Sequence, residues 1–384
     1  MTAGPSHTRR YLDNAATSWP KPEAVLAAWN DAARRVGATA GRAGYGAAVE
    51  ADAIRERARG AAARVLGGVD PGRVALPAGC TQALNMAIHG LLHPGDHVIA
   101  TAADHNATLR PLRWLERRGI IALTIVPCDG GGHVDPGAIR AVWRPATRLV
   151  TVSHASNVTG AVQDVPAIAG IAHDRGGLLL LDAAQSLGQI VCDQPGFGAD
   201  VVAAPAHKWL LGSGGAAVLW VREGLDPEPL LQGGTGSLSD SLEMPERFVD
   251  RMEAGTPDVP ALAALAAAVA WIEERTVAEV GRACRDHAAA CSVGLRGIPG
   301  VRVIAAEDGP PIVSFTVEGY APAEVALLLE QIAGVQVRAG QHCAALVHDH
   351  LGTSDGGTVR ASFGPFTTPD AVAALVAAVG SIIG

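Results

Sequence analysis

Two residues that follow apolar segments have side chains that could do chemistry together. Asp182 ends the run LLLLD, and Lys208 follows DVVAAPA and precedes a glycine-rich turn. A lysine can bind the aldehyde of pyridoxal phosphate covalently, and a carboxylate can keep the pyridine nitrogen of that cofactor protonated. We therefore predict a pyridoxal phosphate site at Asp182 and Lys208. The alternative is that both are ordinary solvated residues at strand ends.

The segments around these residues predict the elements that position them. Short apolar runs alternate with helical patterns such as TQALNMAIHGLL, and the runs are DHVIATA, ALTIVPC, TRLVTVSH, GLLLLDAA, DVVAAPA and AAVLWVRE. That alternation predicts a mostly parallel sheet with helices on both faces. Ligands of such sheets bind beyond the carboxyl ends of the strands, which is where Asp182 and Lys208 fall.

The pattern changes after Pro257. An alanine-rich helix is predicted from about Ala261 to Arg275, and strand signals follow in VRVIAA, PIVSFTV and GTVRASF. Helical patterns between them predict a smaller α+β lobe. The glycine-rich segment from Leu230 to Asp240 is predicted to be a loop, ordered by a dimer partner.

Composition narrows the functional class of the chain. The 384 residues are 48% hydrophobic, which is enough for a large core, and the net charge of −8 argues against nucleic acid or an anionic membrane as partner. No signal peptide is evident, and the longest apolar stretch is too short to span a bilayer. The six cysteines show no paired spacing, which favours a reducing, cytoplasmic setting. The cluster HCAALVHDH lacks the spaced ligand pairs of a zinc site, so no metal is expected.

Motifs along almost the whole chain resemble one family. In order they are YLDNAAT from Tyr11, GRAGY from Gly41, AGCTQALN from Ala78, ADHNATLRPL from Ala103, SHASNVTG from Ser153, LDAAQ, AHK, EAGTP from Glu253, RAGQHCA from Arg338 and TVRASFG from Thr358. The chain resembles the class-V, fold-type I pyridoxal phosphate enzymes, and among them the cysteine desulfurases and selenocysteine lyases. The resemblance implies a large domain (16–257) whose mostly parallel seven-stranded sheet is flanked by helices, and a smaller α+β domain (1–15 and 258–384).

The resemblance also implies which residues hold the phosphate of the cofactor. Cys80 and Thr81 would bind it at the start of a helix, where backbone N–H groups are free. His207 would add a donor, and Thr256 would reach the cofactor of a neighbouring subunit in a homodimer. The sequence departs from the family pattern at Cys80, at Gln82 in place of an acid, and at Pro205 in place of a hydroxyl residue.

The ring of the cofactor has its own implied contacts. His105 matches the histidine that stacks on the pyridine ring and moves protons. Asn157 and Gln185 match the pair that bonds the phenolic oxygen. Asp182 would pair with the ring nitrogen, and Lys208 would hold the aldehyde.

The implied reaction converts L-cysteine to L-alanine. Arg360 would grip the substrate carboxylate, with Asn157 beside it, while Lys208 and His105 transfer protons. Cys343 would accept the sulfur as a persulfide and pass it to an acceptor, which could be a protein. His342 and His105 are candidates for the base that ionises the Cys343 thiol, although Gln341 stands where a histidine is more usual.

Other readings of the same residues stay open. The chain could be a selenocysteine lyase, a cysteine sulfinate desulfinase or an aminotransferase on the same cofactor. It could also be a cofactor-binding scaffold that supports sulfur transfer without turnover. The departures from the family's phosphate-binding pattern at Cys80 and Pro205 support this alternative. The sequence does not identify the acceptor or the preferred chalcogen.

Overall fold

The structure of the protein is a computed structural model that describes residues 9–41, 43–307 and 309–384, apart from the side chain of Pro195. Part of the GRAGY motif, at Arg42, therefore lies outside the described residues, as does the start of the predicted small domain (1–8). The strands are β1 Arg10–Tyr11, β2 Val74–Ala75, β3 His97–Thr101, β4 Ala122–Val126, β5 Thr147–Ser153, β6 Leu178–Asp182, β7 Val201–Pro205, β8 Ala217–Val221, β9 Val301–Ile304, β10 Ile312–Val317, β11 Val335–Gln336, β12 Arg338–Gly340 and β13 Thr358–Ser362.

Helices lie between most of these strands. They are α1 Glu23–Asp31, α2 Gly46–Val65, α3 Cys80–Leu91, α4 Asn106–Arg117, α5 Pro136–Ala141, α6 Val165–His173, α7 Gln194–Phe197, α8 Phe248–Met252, α9 Val259–Glu273, α10 Val277–Arg296, α11 Pro322–Ala333, α12 Ala345–Leu351 and α13 Pro369–Ile383. A π-helical turn at Ala32–Val36 continues α1, and a 3-10 turn occupies Pro71–Arg73. The helix predicted from about Ala261 is α9, which begins two residues earlier because Asp258 caps it at the N–H of Ala261.

The large sheet has seven strands in the order β2-β8-β7-β6-β5-β3-β4. Strand β8 runs antiparallel to both of its neighbours, and the other pairs are parallel. The six predicted strand segments are β3 to β8, and the short edge strand β2 was not predicted. The carboxyl ends of β3, β5, β6 and β7 consequently share one edge.

The side chains of β6 show why the apolar runs become central strands. Leu179 and Leu181 pack into a core on one face of the sheet, and Leu178 and Leu180 pack into a second core on the other face. Alternation along the strand sends successive side chains to opposite faces, so a strand covered on both faces is apolar throughout. Each buried leucine contributes about 1.5–3 kcal/mol relative to an exposed one.

The C-terminal part of the chain builds an antiparallel sheet in the order β12-β13-β10-β9, covered by α10, α11 and α13. A separate parallel pair joins β1 to β11, which brings the segment after residue 8 to this lobe. The predicted fold class, a large mostly parallel sheet with helices and a smaller α+β lobe, is confirmed. The domain boundaries at residues 16 and 257 stay a prediction.

Between β8 and α8, residues 222–247 contain no helix or strand, in keeping with the loop predicted there. Among the residues that the structure describes, no helix is both long and apolar enough to cross a membrane.

Candidate active site

A cavity of about 260 Å³ opens at the edge where the parallel strands end. Strand β6 brings Asp182 to it, β5 brings Ser153, and the turn after β7 brings Lys208. Most of the predicted cofactor residues meet in its wall, which is formed by Gly79, Cys80, Thr81, Leu84, His105, Ala107, Ser153, Ala155, Asn157, Asp182, Ala184, Gln185, Pro205, His207 and Lys208.

Asp182 and Lys208 share this low-polarity environment. Burial raises the pKa of Asp182, although the N–H of Ala184 donates to its Oδ1 at 2.9 Å and Lys208 opposes the shift. Burial lowers the pKa of Lys208, and the charge of Asp182 opposes that shift. A lysine with a lowered pKa is suited to act as nucleophile and as base.

The turn that carries Lys208 is held from two sides. Trp209 Nε1 donates to Gln185 Oε1 at 2.7 Å, and Gln185 Nε2 donates to the carbonyl of Ala15 at 3.1 Å. These two bonds fix the orientation of the Gln185 amide. Three residues after Lys208, Leu211 adopts a left-handed backbone conformation with φ 63°, which the Cβ atom of an L-residue normally disfavours.

His105 stands at the N-cap of α4. Its Nδ1 accepts a hydrogen bond from the N–H of Ala107 at 3.0 Å, so the proton of the neutral ring is on Nε2. Burial, followed by the charge of Lys208, lowers the pKa of His105 to about 4. The ring is therefore neutral at physiological pH and can donate one hydrogen bond from Nε2.

A buried carboxylate fixes the strand end that presents His105. Asp104 Oδ1 accepts from the N–H of Ser153 at 2.7 Å, and its Oδ2 accepts from the N–H of Thr101 and the hydroxyl of Thr151. Burial raises the pKa of Asp104 to about 6. These bonds join the carboxyl ends of β3 and β5 beneath the cavity.

Helix α3 begins at Cys80, as predicted, with Gly79 at its N-cap. Gln82 Oε1 accepts from the N–H of Ala78 at 3.0 Å, so this residue braces the entry to the helix. The N–H groups of the first turn point beyond the helix end and suit an anion. Pro205 lines the same cavity without a hydroxyl or an N–H to offer.

The carbonyl of His207, directly before Lys208, is surrounded by donors from the N-terminal segment. It accepts from Lys21 Nζ at 2.9 Å, from the N–H of Ser18 at 3.0 Å and from the hydroxyl of Thr17 at 3.1 Å. Lys21 Nζ also donates to Ser18 Oγ at 2.7 Å. Lys21 and Lys208 are the only lysines in the sequence, and both belong to this corner of the site.

Arg360 lies behind the cavity, in β13, and is 1% exposed. Its Nη2 makes an ion pair with Asp13 Oδ1 at 2.8 Å, and its Nη1 donates to the carbonyl of Asn157 at 3.0 Å. Within the described residues its Nε, also buried, has no hydrogen-bond partner. A buried donor without a partner is costly, which is consistent with a guanidinium kept ready for a carboxylate.

Cys343 lies on an exposed loop with an uncommon backbone. His342 and Cys343 have φ values of 50° and 60°, in the left-handed region. In this conformation Asn157 Nδ2 donates to the carbonyl of His342 at 2.6 Å, and the N–H of Asn106 donates to the carbonyl of Cys343 at 2.8 Å. Two bonds from the cofactor side therefore hold the loop over the site.

The partner of the Cys343 thiol is not the one expected. The ring of His342 is buried and bonds through Nε2 to the hydroxyl and carbonyl of Thr358, and burial lowers its pKa to about 2. The expectation that His342 could serve as base for the thiol is therefore wrong. Arg338 instead brings Nη2 to 3.3 Å from Cys343 Sγ, so a guanidinium and not an imidazole contacts the thiol.

A second cavity of about 480 Å³ adjoins the first and is open to solvent. Cys343 lines it, together with Thr81, His105 and Ala107, which also line the cofactor cavity. The thiol thus faces a groove that is continuous with the residues around Lys208. Thr256, by contrast, is exposed and does not line the cavity of its own chain.

The histidine-rich segment near Cys343 was weighed as a metal site. The rings of His342 and His348 lie 6.1 Å apart, and each bonds to a threonine. In the part of the chain that the structure describes, no group of three or more histidine, cysteine, aspartate or glutamate side chains is arranged to hold a metal ion.

Comparison with known proteins assigns the family. The family model "Aminotransferase class-V" matches residues 10–375. The chain belongs to the class-V aminotransferase family. It is 33% identical to a probable cysteine desulfurase of Methanothermobacter thermautotrophicus, covering 97% of this chain and 94% of that one, and 30% identical to the cysteine desulfurase CsdA of Escherichia coli, covering 96% and 92%.

A solved structure agrees with this assignment. The apo structure of a cysteine desulfurase from Thermococcus onnurineus superimposes with a TM-score of 0.90 at 28% identity, covering 98% of this chain and 94% of that one. The predicted family and the predicted dependence on pyridoxal phosphate are confirmed by these matches. This class-V chain is an enzyme that uses pyridoxal phosphate.

The cavity of this class-V enzyme has the donor set that the cofactor needs. Lys208 offers an amine with a lowered pKa, and Asp182 a carboxylate for a ring nitrogen. The start of α3 and His207 offer donors for a phosphate, and the neutral ring of His105 lies in the same wall. The residues present therefore fit pyridoxal phosphate, even with Pro205 in the wall.

Several residues of the site were missed by the sequence reading. Asp13, Asp104 and Arg338 each stand inside one of the family motifs, but only Asp104 is next to a candidate site residue, His105. Their roles depend on contacts across long sequence separations, such as Asp13 with Arg360. Lys21 gave no signal of its own beyond being one of two lysines in the chain.

Proposed function

We propose that this enzyme is a cysteine desulfurase that converts L-cysteine to L-alanine and passes the sulfur to Cys343 as a persulfide. The observation that carries the proposal is the shared wall between the cavity at Lys208 and the groove at the Cys343 thiol. A thiol in that position can reach a sulfur atom on a substrate held beside Lys208. An aminotransferase would have no use for it.

Pyridoxal phosphate supplies, when bound, an electron-accepting ring that makes the Cα–H bond of the amino acid labile. The proposed contacts are Lys208 at the aldehyde, Asp182 at the ring nitrogen and His105 on the ring face. Asn157 and Gln185 would bond the phenolic oxygen, and the phosphate would meet Cys80, Thr81 and His207. The partner subunit's Thr256 would complete the phosphate site.

Arg360 is proposed to bind the α-carboxylate of L-cysteine. Its Nε is buried and unpartnered within the described residues, and each of its Nη groups has a proton to spare beyond the bonds to Asp13 and Asn157. A carboxylate arriving there would satisfy the orphan donor and make a charge-assisted pair. Asn157 is bonded to both Arg360 and the Cys343 loop, so it would fix the position of the thiol relative to the bound substrate.

Proton transfer and the positioning of the substrate sulfur are assigned to two groups. Lys208, with its lowered pKa, would take the proton from Cα once the substrate has displaced it. His105 would position the substrate sulfur for the second transfer, by a hydrogen bond from Nε2–H, the nitrogen that its cap leaves free.

Sulfur transfer then needs Cys343 as the nucleophile, and the guanidinium of Arg338 would hold its sulfur in place. The sulfur of Cys343 attacks the substrate sulfur and the Cβ–S bond breaks. The proton that Lys208 took from Cα completes the methyl group of alanine, and the proton that the Cys343 thiol gave up restores the Cα–H bond. The sum is one L-cysteine and one thiol giving one L-alanine and one persulfide, without an external oxidant.

The assembly and setting are also part of the proposal. The loop between β8 and α8 exposes Leu230, Leu231, Leu238 and Leu242, and the N–H of Gly255, beside Thr256, donates to the carbonyl of Gly234 in that loop. Such an apolar loop supports a homodimer in which Thr256 serves the partner's site. The six free cysteines support a reducing, cytoplasmic setting.

The test is alanine and sulfide release from L-cysteine with a reductant, for the holoenzyme and for Cys343→Ala. We expect both products to fall by at least about tenfold in the variant, because the nucleophile that accepts sulfur is gone. The absorption of bound pyridoxal phosphate should be unchanged. Cys128→Ala, at a buried thiol away from both cavities, is the matched control.

Undiminished turnover in Cys343→Ala would reject the persulfide step and favour a lyase or aminotransferase. Loss of the cofactor absorption in the variant would reject the persulfide step as well, because the loss of activity would then come from weaker cofactor binding and not from the missing sulfur acceptor.

A further inference from the structure

Helix α4 has a strongly basic outer face beside the Cys343 groove. Leu109, Leu112 and Leu115 form its buried face, and the opposite side of the helix carries four arginines against one glutamate. The basic face, defined here, consists of Arg110, Arg113, Trp114, Arg117 and Arg118.

The spacing of these residues places them on one surface. Positions i, i+3, i+4, i+7 and i+8 lie on the same side of an α-helix. The chain as a whole carries a net charge of −8, so this cluster of positive charge is opposite in sign to the net charge of the protein. It is a local feature of α4.

Much of this charge is not neutralised within the chain. Arg113 pairs with Glu116, whereas Arg110 and Arg117 have no ion-pair or hydrogen-bond partner among the described residues. The field of Arg110 also reaches the site, where it contributes to the lowered pKa of His105. Unpaired surface arginines steer and bind groups of the opposite charge.

An exposed tryptophan lies in the middle of the basic face. Trp114 is 47% exposed and is held by the guanidinium of Arg118, 4.2 Å from its ring, and by an edge contact with His89. Both contacts limit its rotamer freedom. Tryptophan and arginine are the residues that most often carry binding energy at protein interfaces.

The groove connects this face to the sulfur. Trp114, Arg110 and Cys343 line the same open cavity of about 480 Å³, and no aspartate or glutamate lies in its wall. A partner seated on the basic face could therefore extend a side chain along the groove to Cys343.

We propose that the basic face of α4 docks the sulfur acceptor, and that this acceptor is an acidic protein segment with a reactive cysteine. The inference rests on the proposed function, because it requires a persulfide on Cys343. The acceptor thiolate attacks the outer sulfur of that persulfide, the sulfur–sulfur bond breaks, and Cys343 leaves as a thiolate. The acceptor gains one sulfur atom, and no oxidant is needed.

The test compares two synthetic acceptors, Glu-Glu-Cys-Glu-Glu and Lys-Lys-Cys-Lys-Lys. The holoenzyme receives L-cysteine and either peptide, and mass spectrometry follows the gain of one sulfur atom by the peptide. We expect the acidic peptide to be persulfidated about tenfold faster than the basic one at low salt, and the ratio to shrink as salt is added.

Charge reversal on the basic face supplies the decisive variant. Arg117→Glu/Arg118→Glu should remove or invert the preference for the acidic peptide and leave turnover with dithiothreitol unchanged. The matched control is Arg282→Glu/Arg296→Glu on α10, which changes the net charge equally at exposed positions far along the chain. The control should keep the wild-type preference.

Other results separate the two proposals. Sulfur transfer to peptides by Cys343→Ala would reject the proposed function itself, whereas equal rates for the two peptides with an intact Cys343 pathway would reject only the docking face. A change of oligomeric state in the reversed variant would assign the face to a second copy of the chain. Stronger competition by a mixed-sequence RNA than by the acidic peptide would assign it to nucleic acid. Either outcome overturns the proposal.

Discussion

The cofactor cavity and the Cys343 loop lie side by side but are built differently. The cavity sits at the ends of buried parallel strands, and its residues are fixed by bonds such as those of Asp104 to two strands. The loop that carries Cys343 is exposed, with two successive residues in a left-handed conformation that costs about 1–2 kcal/mol each.

This difference matches the chemistry proposed for each region. Proton transfer at Cα requires groups held within a fraction of an ångström, which a rigid sheet edge provides. A persulfide must be formed at the substrate and then reach an acceptor, so its loop has to be accessible. Two hydrogen bonds, from Asn157 and Asn106 to the carbonyls of His342 and Cys343, hold this loop over the site. Breaking them would free the loop to move toward an acceptor.

The largest effect is expected in the cavity. Lys208→Ala should lower alanine formation by at least about 10³-fold, because it removes both the attachment point of the cofactor and the base at Cα. Borohydride reduction of the wild-type holoenzyme, followed by peptide mapping, should find the cofactor on Lys208 and not on Lys21, the one other lysine. Attachment at Lys21, or residual turnover within tenfold of wild type, would contradict this assignment.

A smaller effect is expected on the loop. Arg338→Met should slow alkylation of Cys343 by iodoacetamide by up to about fivefold, because it removes the exposed guanidinium that contacts the sulfur, and exposed polar contacts are weak. Arg338→Lys, which keeps the charge, should restore most of the rate. The reaction reports Cys343 selectively, because the other cysteines are buried or half-buried.

A rate in Arg338→Met equal to that of the wild type would show that the guanidinium does not assist the reaction of the Cys343 sulfur. The loop would then rely on the substrate complex alone to activate its nucleophile.

The same contrast explains what the sequence could and could not predict. The strands of the large sheet were predictable because burial on both faces leaves a continuous apolar run, as in Leu178 to Leu181. Asp182 and Lys208 could be selected because Asp182 ends such a run and Lys208 stands a few residues after another. At these two residues the local sequence pattern is enough to predict the position in the fold.

The loop and the back of the site did not follow from local pattern. His342 was a reasonable base beside Cys343 in the sequence, but its left-handed backbone turns the ring toward Thr358 and leaves Arg338 at the thiol. Asp13 and Arg360 are 347 residues apart and meet because Asp13 forms a β-bridge with Ser362, two residues after Arg360 in β13. Such contacts depend on tertiary structure, which no spacing rule encodes.

The smallest effect expected concerns Lys21, which braces the carbonyl before Lys208. Burial lowers the pKa of Lys21 to about 8, whereas a lysine in the unfolded chain titrates near about 10.4. Between these values the unfolded chain binds more protons than the folded one, so this residue makes stability rise with pH. The free energy of unfolding of the wild type should therefore increase relative to Lys21→Met from about pH 8 to about pH 10, as measured by urea titration. Lys21→Arg, which stays charged throughout, should show a constant offset from Lys21→Met. A difference in free energy of unfolding between the wild type and Lys21→Met that does not change with pH would mean that Lys21 keeps its proton in the folded protein. The surroundings of its bond to the His207 carbonyl would then be more hydrated than the neighbouring cavity.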